Sequence, residues 1–347
     1  MALKVGVIGL GKMGILHTAQ LKTIKDAEIV AAADAEKRLA QYSKNINRNI
    51  PFFSNVKEML DSVPLDAVYI CTPAFTHFEI SELCSNYNVH QFIEKPLAES
   101  LESAKKIAIL EKPPETIIAT GYSFAFHPIF QKVKELLDRK TLGRVFRVNS
   151  STFISVVLKK QSGWLYEKEK SGGGIVINSA SHLVHLLWWY FGDVKQVFSK
   201  AQSLYSEVED CAFVTFEFKN GVQGIMDSSW SIPGFRLQEI NLIIEGHNGK
   251  MEVTNDMIKI YLHKSWKEFK EGWTTLHKID LGDSADFFLG SEEFNIEDKH
   301  FVECCLQEKI PLVSGKDGFE VQRIIEGIYL SAESNRIVDM DKEIFDV

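Results

Sequence analysis

A glycine-rich segment near the start of the chain is built for contact with a phosphate group. Residues 9–14 read Gly-Leu-Gly-Lys-Met-Gly and directly follow an apolar run, Leu3–Ile8. In a G-x-G-x-x-G segment of this kind, the first glycine, Gly9, permits a tight turn. The second, Gly11, lets the backbone approach a pyrophosphate, and the third, Gly14, lets helix and strand pack closely. The segment therefore predicts a dinucleotide-binding loop, and the alternative is a glycine-rich turn without a ligand.

The residues after the loop supply the remaining parts of such a site. A helix pattern runs to about Ile24, and its N-terminal N–H groups, including those of Lys12 and Met13, favour an anion. Asp34 ends the second apolar run, twenty residues beyond Gly14. A carboxylate at that position is suited to bond the ribose hydroxyls of the adenosine half.

The same aspartate bears on the choice of cofactor. A carboxylate at Asp34 repels a 2′-phosphate, so NAD is favoured over NADP. Lys37 and Arg38 are close by in the sequence and could soften that preference. We therefore expect NAD, with NADP left open.

A lysine between a glutamate and a proline is the strongest candidate for proton chemistry. Glu94-Lys95-Pro96 follows the fourth apolar run, at the carboxyl edge of a parallel sheet where ligands bind in open α/β folds. A lysine whose pKa is lowered by burial or by neighbours can exchange protons near neutral pH. The alternatives are an exposed lysine for Lys95 and a structural carboxylate, paired to a nearby cation, for Glu94.

The third apolar run is also followed directly by residues that suit a ligand-binding edge. Thr72-Pro73 follows it, with His77 five residues after the threonine. We expect Thr72 and Pro73 to shape the cofactor cleft through backbone and packing. We assign His77 to the same cleft, with a surface helix residue as the alternative.

The second half of the chain carries one histidine segment of interest. Asn178, His182 and His185 stand at i, i+4 and i+7, so a helix over about Ile175–Phe191 would place them on one face. The His-x-x-His spacing raises the question of a metal, but there is no obvious third ligand motif, so we predict none. His185 is also explained as a helix histidine packed near the two following tryptophans.

The elements that must position these residues follow from periodicity. Within the first 120 residues, five apolar runs alternate with helix patterns, which predicts a doubly wound parallel sheet of the Rossmann type. After Gly121 long alternating segments dominate, with hairpin signals at Asn220-Gly221 and Asn248-Gly249. We predict a Rossmann domain over residues 1–121 and, over 122–347, an α+β domain with a large, mostly antiparallel open sheet. The closing helix, Gly318–Ser334, would pack back on the first domain.

Composition sets the broad class. A length of 347 residues suggests two domains, and the net charge of −8 argues against a nucleic-acid or anionic-membrane binder. No apolar run approaches the roughly 18 residues of a membrane span, and the glycine-broken N-terminus predicts a strand and no signal peptide. The five cysteines are odd in number and form no C-x-x-C pair, which favours a reducing cytoplasm over a disulfide framework or a structural zinc.

Taken together, these motifs resemble those of the Gfo/Idh/MocA family of oxidoreductases. The order is G-x-G-x-x-G, T-P-x-x-x-H and E-K-P, then a glycine run at Gly172–Gly174 and a histidine on the following helix. The resemblance implies that Lys95 lies beside the nicotinamide and that Glu94 bonds cofactor ribose hydroxyls. It also implies that His182 is the catalytic histidine, and that Asn178 stands where an aspartate is often found.

The resemblance also suggests weaker substrate contacts. Tyr122 follows the last Rossmann strand, three residues before Ala125, a position where relatives often carry an arginine. Trp164 precedes the glycine run and could stack on the face of a sugar ring. His127 and Arg236 are further candidates, the latter as a clamp for an anionic substrate or a solvated strand end.

These assignments predict an NAD(P)-dependent oxidoreductase acting on a secondary alcohol or ketone of a sugar, inositol or sugar derivative. His182, aided by Lys95, would take the hydroxyl proton while Asn178 orients the hydroxyl; the cofactor carries the hydride chemistry. The resemblance implies a homodimer or homotetramer formed through the C-terminal sheet. Three alternatives stay open: NAD-assisted glycoside cleavage by transient oxidation, a non-catalytic cofactor-sensing regulator, and reduction of a non-sugar substrate.

Overall fold

The computed structural model describes residues 2–36, 50–281 and 291–343. They form two compact units: Met1–Phe126 with Ser284–Gln322, and His127–Asp283 with Arg323–Val347. The domains predicted from sequence are consecutive stretches, whereas these units are discontinuous in the chain. The long helix near the C-terminus contributes residues to both.

The strands and helices are numbered here in chain order. The strands are β1 (Leu3–Ile8), β2 (Ala27–Ala33), β3 (Phe52–Phe53), β4 (Ala67–Ile70), β5 (His90–Ile93), β6 (Ile118–Thr120), β7 (Val145–Phe153), β8 (Val194–Gln202), β9 (Cys211–Phe218), β10 (Gln223–Ser229), β11 (Glu239–Gly246), β12 (Gly249–Val253), β13 (Met257–Leu262), β14 (Gly272–His277) and β15 (Val338–Asp339). The helices are α1 (Lys12–Leu21), α2 (Val56–Ser62), α3 (His77–Ser85), α4 (Leu101–Leu110), α5 (Pro128–Asp138), α6 (Lys168–Ser171), α7 (Ser181–Phe191), α8 (Glu292–Gln307), α9 (Gly315–Ser334) and α10 (Met340–Glu343).

The first unit is built on a parallel sheet. Within the described residues it has six strands in the order β3-β2-β1-β4-β5-β6, and its paired strands are parallel. The order reverses between β1 and β4, which is the point where ligands bind in doubly wound sheets. The predicted doubly wound sheet is confirmed. The sequence analysis missed β3, because two residues are too short to show a periodicity.

Helix boundaries in this unit follow local capping. The Asn55 side chain accepts a hydrogen bond from the backbone N–H of Glu58 at 3.2 Å and caps α2, and Ser100 caps α4 through Ser103. Further along the chain, α8 packs against α1 and buries Phe301 beside the rings of Tyr69 and Phe92. The first unit therefore includes a helix that lies some 170 residues after its last strand.

The second unit is built on one large mixed sheet. Within the described residues its order is β14-β13-β12-β11-β7-β10-β9-β8-β15. The β7–β10 pair is parallel, and the remaining neighbours are antiparallel. The predicted open, mostly antiparallel sheet is confirmed, and β14 and β15 extend it beyond the strands expected from sequence.

Two helical features of this unit differ from expectation. Helix α5 was not predicted, although its buried residues Ile129, Phe130, Val133 and Leu136 follow the spacing of an amphipathic helix. The predicted helix over 175–191 begins only at Ser181, because residues 175–180 form turns in which the N–H of Ala180 bonds the carbonyl of Ile175, five residues back.

No helix in the described part of the chain is both long enough and apolar enough to cross a membrane.

Candidate active site

The phosphate loop has glycines for three different physical reasons. Gly9 has a φ of +88°, in the region that favours glycine. A Cβ on Gly14 would lie 1.8 Å from the carbonyl oxygen of Gly9, so a side chain there would collide with the turn. At Gly11, by contrast, no heavy atom of the described residues lies within 4 Å of a Cβ position. The fold itself therefore requires Gly9 and Gly14, while Gly11 leaves open space beside the backbone.

The start of α1 completes this cradle. Its N-cap is Gly11, which has no side chain to accept a bond from the first N–H groups of the helix. Lys12 is exposed and Met13 is half-buried. The open space and the helix N-terminus fit a pyrophosphate, because helix N-termini favour anions.

Asp34 is held next to this loop. Its Oδ2 accepts the backbone N–H of Leu10 at 2.7 Å, and its Oδ1 accepts that of Glu36 at 2.8 Å. Carboxylate oxygens can each accept a second hydrogen bond, so both keep capacity for ribose hydroxyls. Lys37 and Arg38, which bear on NADP, lie outside the described residues.

The Glu94-Lys95 segment lies at the carboxyl end of β5, as expected. Glu94 is buried, and its Oε2 accepts the backbone N–H of Lys95 at 3.0 Å. Lys95 is half-buried, and burial lowers the pKa of its amine, although Glu94 opposes that shift. An amine with a lowered pKa suits a group that donates a hydrogen bond or exchanges a proton near neutral pH.

A histidine that the sequence analysis did not single out holds the other oxygen of this glutamate. His17 lies on α1, and its Nε2 is 2.9 Å from Oε1 of Glu94. Its Nδ1 is 2.8 Å from Oδ1 of Asp298 on α8. The alternative stated for Glu94, a structural carboxylate paired to a nearby cation, thus describes its contacts in this structure. A bond from Glu94 to a ribose hydroxyl stays a prediction. A histidine three residues after the last glycine, on the helix that follows the loop, was the available signal.

The turn after β4 is tied to the same edge by His77. This side chain is 1% exposed, so the alternative of a surface helix residue is wrong. Its Nε2 lies 2.9 Å from the carbonyl of Thr72 and its Nδ1 3.2 Å from the carbonyl of Leu97, while burial lowers its pKa. The Oγ1 of Thr76 donates to Oγ1 of Thr72 and lies 2.8 Å from the carbonyl of Pro73. The neutral ring donates to one of these two carbonyls. These contacts shape the turn, and a direct cofactor contact for His77 stays a prediction.

The segment after β6 is more buried than a substrate-binding stretch would suggest. Tyr122 and Ala125 are fully buried, so the ring of Tyr122 is closed to a ligand in this structure. Its role as a substrate contact stays a prediction. At the start of the second unit, burial and the charge of Lys278 lower the pKa of His127 to about 3, which favours its neutral form.

In the second unit, a buried glutamate fixes the glycine run. Glu209 accepts the N–H of Gly174 at 2.8 Å, the N–H of Val176 at 3.0 Å and the hydroxyl of Tyr329 at 2.9 Å. A Cβ on Gly173 would lie 2.0 Å from that hydroxyl, so this position also has no room for a side chain. The run is therefore a tightly packed support for the segment that leads into α7.

That segment carries the predicted proton-handling residues. His182 is the second residue of α7 and is 7% exposed. Asn178 lies in the turn before the helix, where its Oδ1 accepts the hydroxyl of Ser179 at 3.3 Å. The expectation that Asn178, His182 and His185 share one helix face is therefore wrong for Asn178. The five-residue backbone bond at Ala180 breaks the helical spacing that the expectation assumed.

The remaining candidates divide between core and surface. His185 is 1% exposed and its ring stacks on Trp189 with centroids 6.3 Å apart, and burial lowers its pKa to about 3. Trp164 is 41% exposed and starts a short 3-10 turn. Arg236 is exposed in the loop before β11.

Comparison with protein families decides the identity of both units. Residues 3–122 match the model of an oxidoreductase family with an NAD-binding Rossmann fold, and residues 130–252 match the GFO/IDH/MocA C-terminal domain. The chain belongs to the GFO/IDH/MocA family. It is accordingly an oxidoreductase, and its cofactor is NAD. The assignment of Gly11 and Asp34 to the binding of this cofactor stays a prediction.

Individual relatives agree with this membership. The chain is 26% identical to myo-inositol 2-dehydrogenase of Thermotoga maritima, over 99% of this chain and 100% of that protein. It is 25% identical to scyllo-inositol 2-dehydrogenase (NAD(+)) of Bacillus subtilis, over 90% and 88%. Among solved structures, levoglucosan dehydrogenase in complex with NADH and levoglucosan superposes with a TM-score of 0.89 at 20% identity, over 98% of this chain and 99% of that one. The structural match at this identity shows a shared fold.

Proposed function

We propose that this member of the family transfers a hydride between NAD and a secondary alcohol or ketone of a sugar, an inositol or a sugar derivative. The observation that carries the proposal is Lys95, a half-buried amine whose pKa burial lowers, at the carboxyl edge of the Rossmann sheet. Relatives named as inositol dehydrogenases support the substrate class.

The chain's own residues handle the proton and the orientation of the substrate. When bound, NAD supplies the carbon that accepts or returns the hydride. On oxidation, His182 takes the hydroxyl proton, and Lys95 donates a hydrogen bond to the same oxygen as it becomes a carbonyl. Asn178 orients the hydroxyl through its amide, and in the direction of reduction the proton returns from His182.

Two further side chains belong to the proposed substrate contacts. The exposed ring of Trp164 offers an apolar face that suits the C–H groups of a sugar. Tyr122 is the weaker of the two, since its ring is fully buried.

A panel of polyols tests the proposal directly. Purified protein is incubated with NAD or NADP and with inositols, aldoses and glycosides, and the absorbance of the reduced nicotinamide is followed. Lys95→Ala and His182→Ala are each expected to lower kcat by about 10²–10⁴-fold, as is usual for general acid–base groups. Lys112→Ala and His247→Ala, which alter exposed residues of the two units, are the matched controls.

The outcomes separate the alternatives. If both residues serve one step, the double variant loses little more than the worse single variant, because such effects are not additive. Turnover of no polyol in either direction overturns the proposal. Glycoside cleavage without net formation of reduced cofactor would then indicate the cleavage reaction, and tight NADH binding without any product would indicate a regulator.

We also propose that a second copy of the chain covers one face of the second unit's sheet. Strand register places four partly exposed apolar side chains on that face, each 38–55% exposed: Phe213, Ile243, Tyr261 and Trp273. Exposed apolar side chains that share one face of a sheet favour burial of that face in an assembly. A homodimer or homotetramer through this sheet is the arrangement we propose.

Sedimentation velocity tests the assembly. Ile243→Glu is expected to convert the oligomer to a monomer, because it would bury a charge in the interface. Ile109→Glu alters an exposed residue of α4 and serves as the control. A wild type that sediments as a monomer at micromolar concentration would rule the proposal out.

We also propose that the protein is located in a reducing compartment, the cytoplasm. All five cysteines are free, and three of them, Cys84, Cys304 and Cys305, are buried. Free thiols of this kind are typical of proteins that are kept reduced. Titration with a thiol reagent after unfolding should find five thiols in protein isolated under anaerobic conditions, and fewer would contradict the assignment.

A further inference from the structure

One buried histidine of the first unit connects three separate elements. His17 lies on α1, three residues after the last glycine of the phosphate loop, and is 0% exposed. Its Nε2 faces Oε1 of Glu94 at 2.9 Å, at the end of β5. Its Nδ1 faces Oδ1 of Asp298 at 2.8 Å, on α8. The imidazole thus bridges two carboxylates that are 204 residues apart in the chain.

This bridge fixes the protonation of the ring. A neutral imidazole has one N–H and can donate only one of the two bonds, whereas an imidazolium donates both. Burial by itself lowers the pKa of His17, but the charges and hydrogen bonds of Asp298 and then of Glu94 outweigh burial and raise the pKa well above its ordinary value. His17 is therefore a buried cation held between two carboxyl groups.

The surroundings strengthen these bonds by keeping water out. The ring of His17 lies between aromatic rings, with centroid distances of 4.9 Å to Phe92, 5.4 Å to Tyr69 and 6.2 Å to Phe294. In such an apolar environment, charge-assisted hydrogen bonds are stronger than in water.

Other titratable groups face the same cluster. From α8 come Glu293 and Glu297 besides Asp298, and from β4 and its end come Tyr69 and Cys71. Burial raises the pKa of Glu297, of Tyr69 and of Cys71, which favours their neutral forms. Burial also raises the pKa of Asp298, while the charge of His17 and its hydrogen bond oppose that shift. His17, Glu94 and Asp298 are the three members that hydrogen bonds join directly.

The chain of contacts continues to the proposed active-site lysine. While Oε1 of Glu94 is held by His17, its Oε2 accepts the backbone N–H of Lys95 at 3.0 Å. Both oxygens of the carboxylate are therefore engaged, and the backbone at Lys95 is bonded to a side chain whose own position depends on His17.

We infer that His17 is a positioning residue, which holds Glu94 and through it the backbone at Lys95 in the geometry that the reaction needs. This inference rests on the proposed function, since it assigns a role in the same reaction. It differs from a purely structural tie between α1 and α8, which would need only the bond to Asp298.

Two conservative variants separate these roles. The amide of Gln can take the place of Nε2 and keep the bond to Glu94, whereas the amide of Asn can take the place of Nδ1 and keep the bond to Asp298. We expect His17→Asn to lower kcat about 10²-fold with KM for the polyol changed little, because small misplacements of a reacting group have costs of that size. We expect His17→Gln to lose less than about tenfold. Circular dichroism confirms that both variants fold.

The opposite ranking of the two variants in kcat would overturn the inference. If folded His17→Asn keeps the wild-type kcat, or if His17→Gln is the worse of the two, the bond to Glu94 does not position the reaction. If the wild type turns over no polyol, the proposed function itself fails. If the wild type turns over a polyol and His17→Asn does so equally well, only the inference about His17 fails.

A spectroscopic measurement reads the bridge without any turnover. In protein labelled with ¹⁵N-histidine, one of the ten histidines should show two protonated ring nitrogens at pH 8, where ordinary histidines are neutral. The signal should be absent in both variants. A neutral His17 at pH 8 would overturn the charged bridge.

Discussion

The Nε2 atom of His17 lies 2.9 Å from Oε1 of Glu94, and this contact joins the helix of the phosphate loop to the segment that carries Lys95. The first unit thus links the loop that we propose binds the cofactor to the lysine that we propose acts on the substrate. We assign His17 no direct role in either, so its effect has to be measured through Glu94.

The bridge at His17 makes the stability of the protein depend on pH. Its folded pKa is raised, so its stabilisation is complete below the unfolded value of about 6.5 and is lost as pH rises through the folded pKa. The difference in unfolding free energy between wild type and His17→Gln should therefore shrink above pH 6.5, by up to about 1.4 kcal/mol per pH unit. Urea denaturation between pH 6 and pH 10 measures it, and a difference that grows with pH would contradict the raised pKa.

The same substitution at two glycines of the loop should change different properties, the stability of the fold at one and the binding of NADH at the other. Gly14→Ala places a Cβ 1.8 Å from the carbonyl oxygen of Gly9 and should destabilise the fold by on the order of 3 kcal/mol. Gly11→Ala meets open space, so it should keep the melting temperature and weaken NADH binding. Thermal unfolding and fluorescence titration with NADH measure the two effects. A Gly11→Ala variant that binds NADH as well as the wild type would place the pyrophosphate elsewhere.

The charge of Asp34 should set the preference between the two nicotinamide cofactors. Asp34→Asn removes the repulsion of a 2′-phosphate, and a charge pair a few ångströms apart near a surface is worth about 1–4 kcal/mol. We expect the ratio of kcat/KM for NADP to that for NAD to rise about tenfold or more. Asp26→Asn, an exposed position before β2, is the matched control. An unchanged ratio would mean that another residue excludes the phosphate.

The buried carboxylate of Glu209 should be needed for the support beneath α7. Glu209→Gln replaces an acceptor of two backbone N–H bonds and one hydroxyl by a group that can accept at only one of its two ends. Leaving buried donors unsatisfied costs about 1–3 kcal/mol, so the free energy of unfolding should fall by that amount. Glu207→Gln, two residues away and exposed, should unfold like the wild type. Equal stability of both variants would show that the glycine run does not depend on this acceptor.

Much of the candidate site could be located from the sequence because its signals are local. The loop at residues 9–14, the aspartate at the end of β2 and the Glu94-Lys95 segment each combine a short motif with a neighbouring strand, and neighbouring strands end at one edge of a parallel sheet. The expectation that was wrong for this site also has a definite physical reason. Asn178 left the predicted helix face because a single backbone bond, from Ala180 to Ile175, changed the register.

The sequence alone determined the fold class and the position of the glycine loop, and it supplied the candidates for proton exchange, because periodicity and motif spacing are properties of neighbouring residues. The tertiary structure decided what holds those residues in place. Asp298 lies 281 residues from His17, and Tyr329 lies 120 residues from Glu209, so no local pattern connects them. Only the folding of α8 against α1, and of α9 beside the glycine run, brings these groups within hydrogen-bonding distance. There burial makes each unpaired charge or donor costly, and the partnership becomes a requirement of the fold.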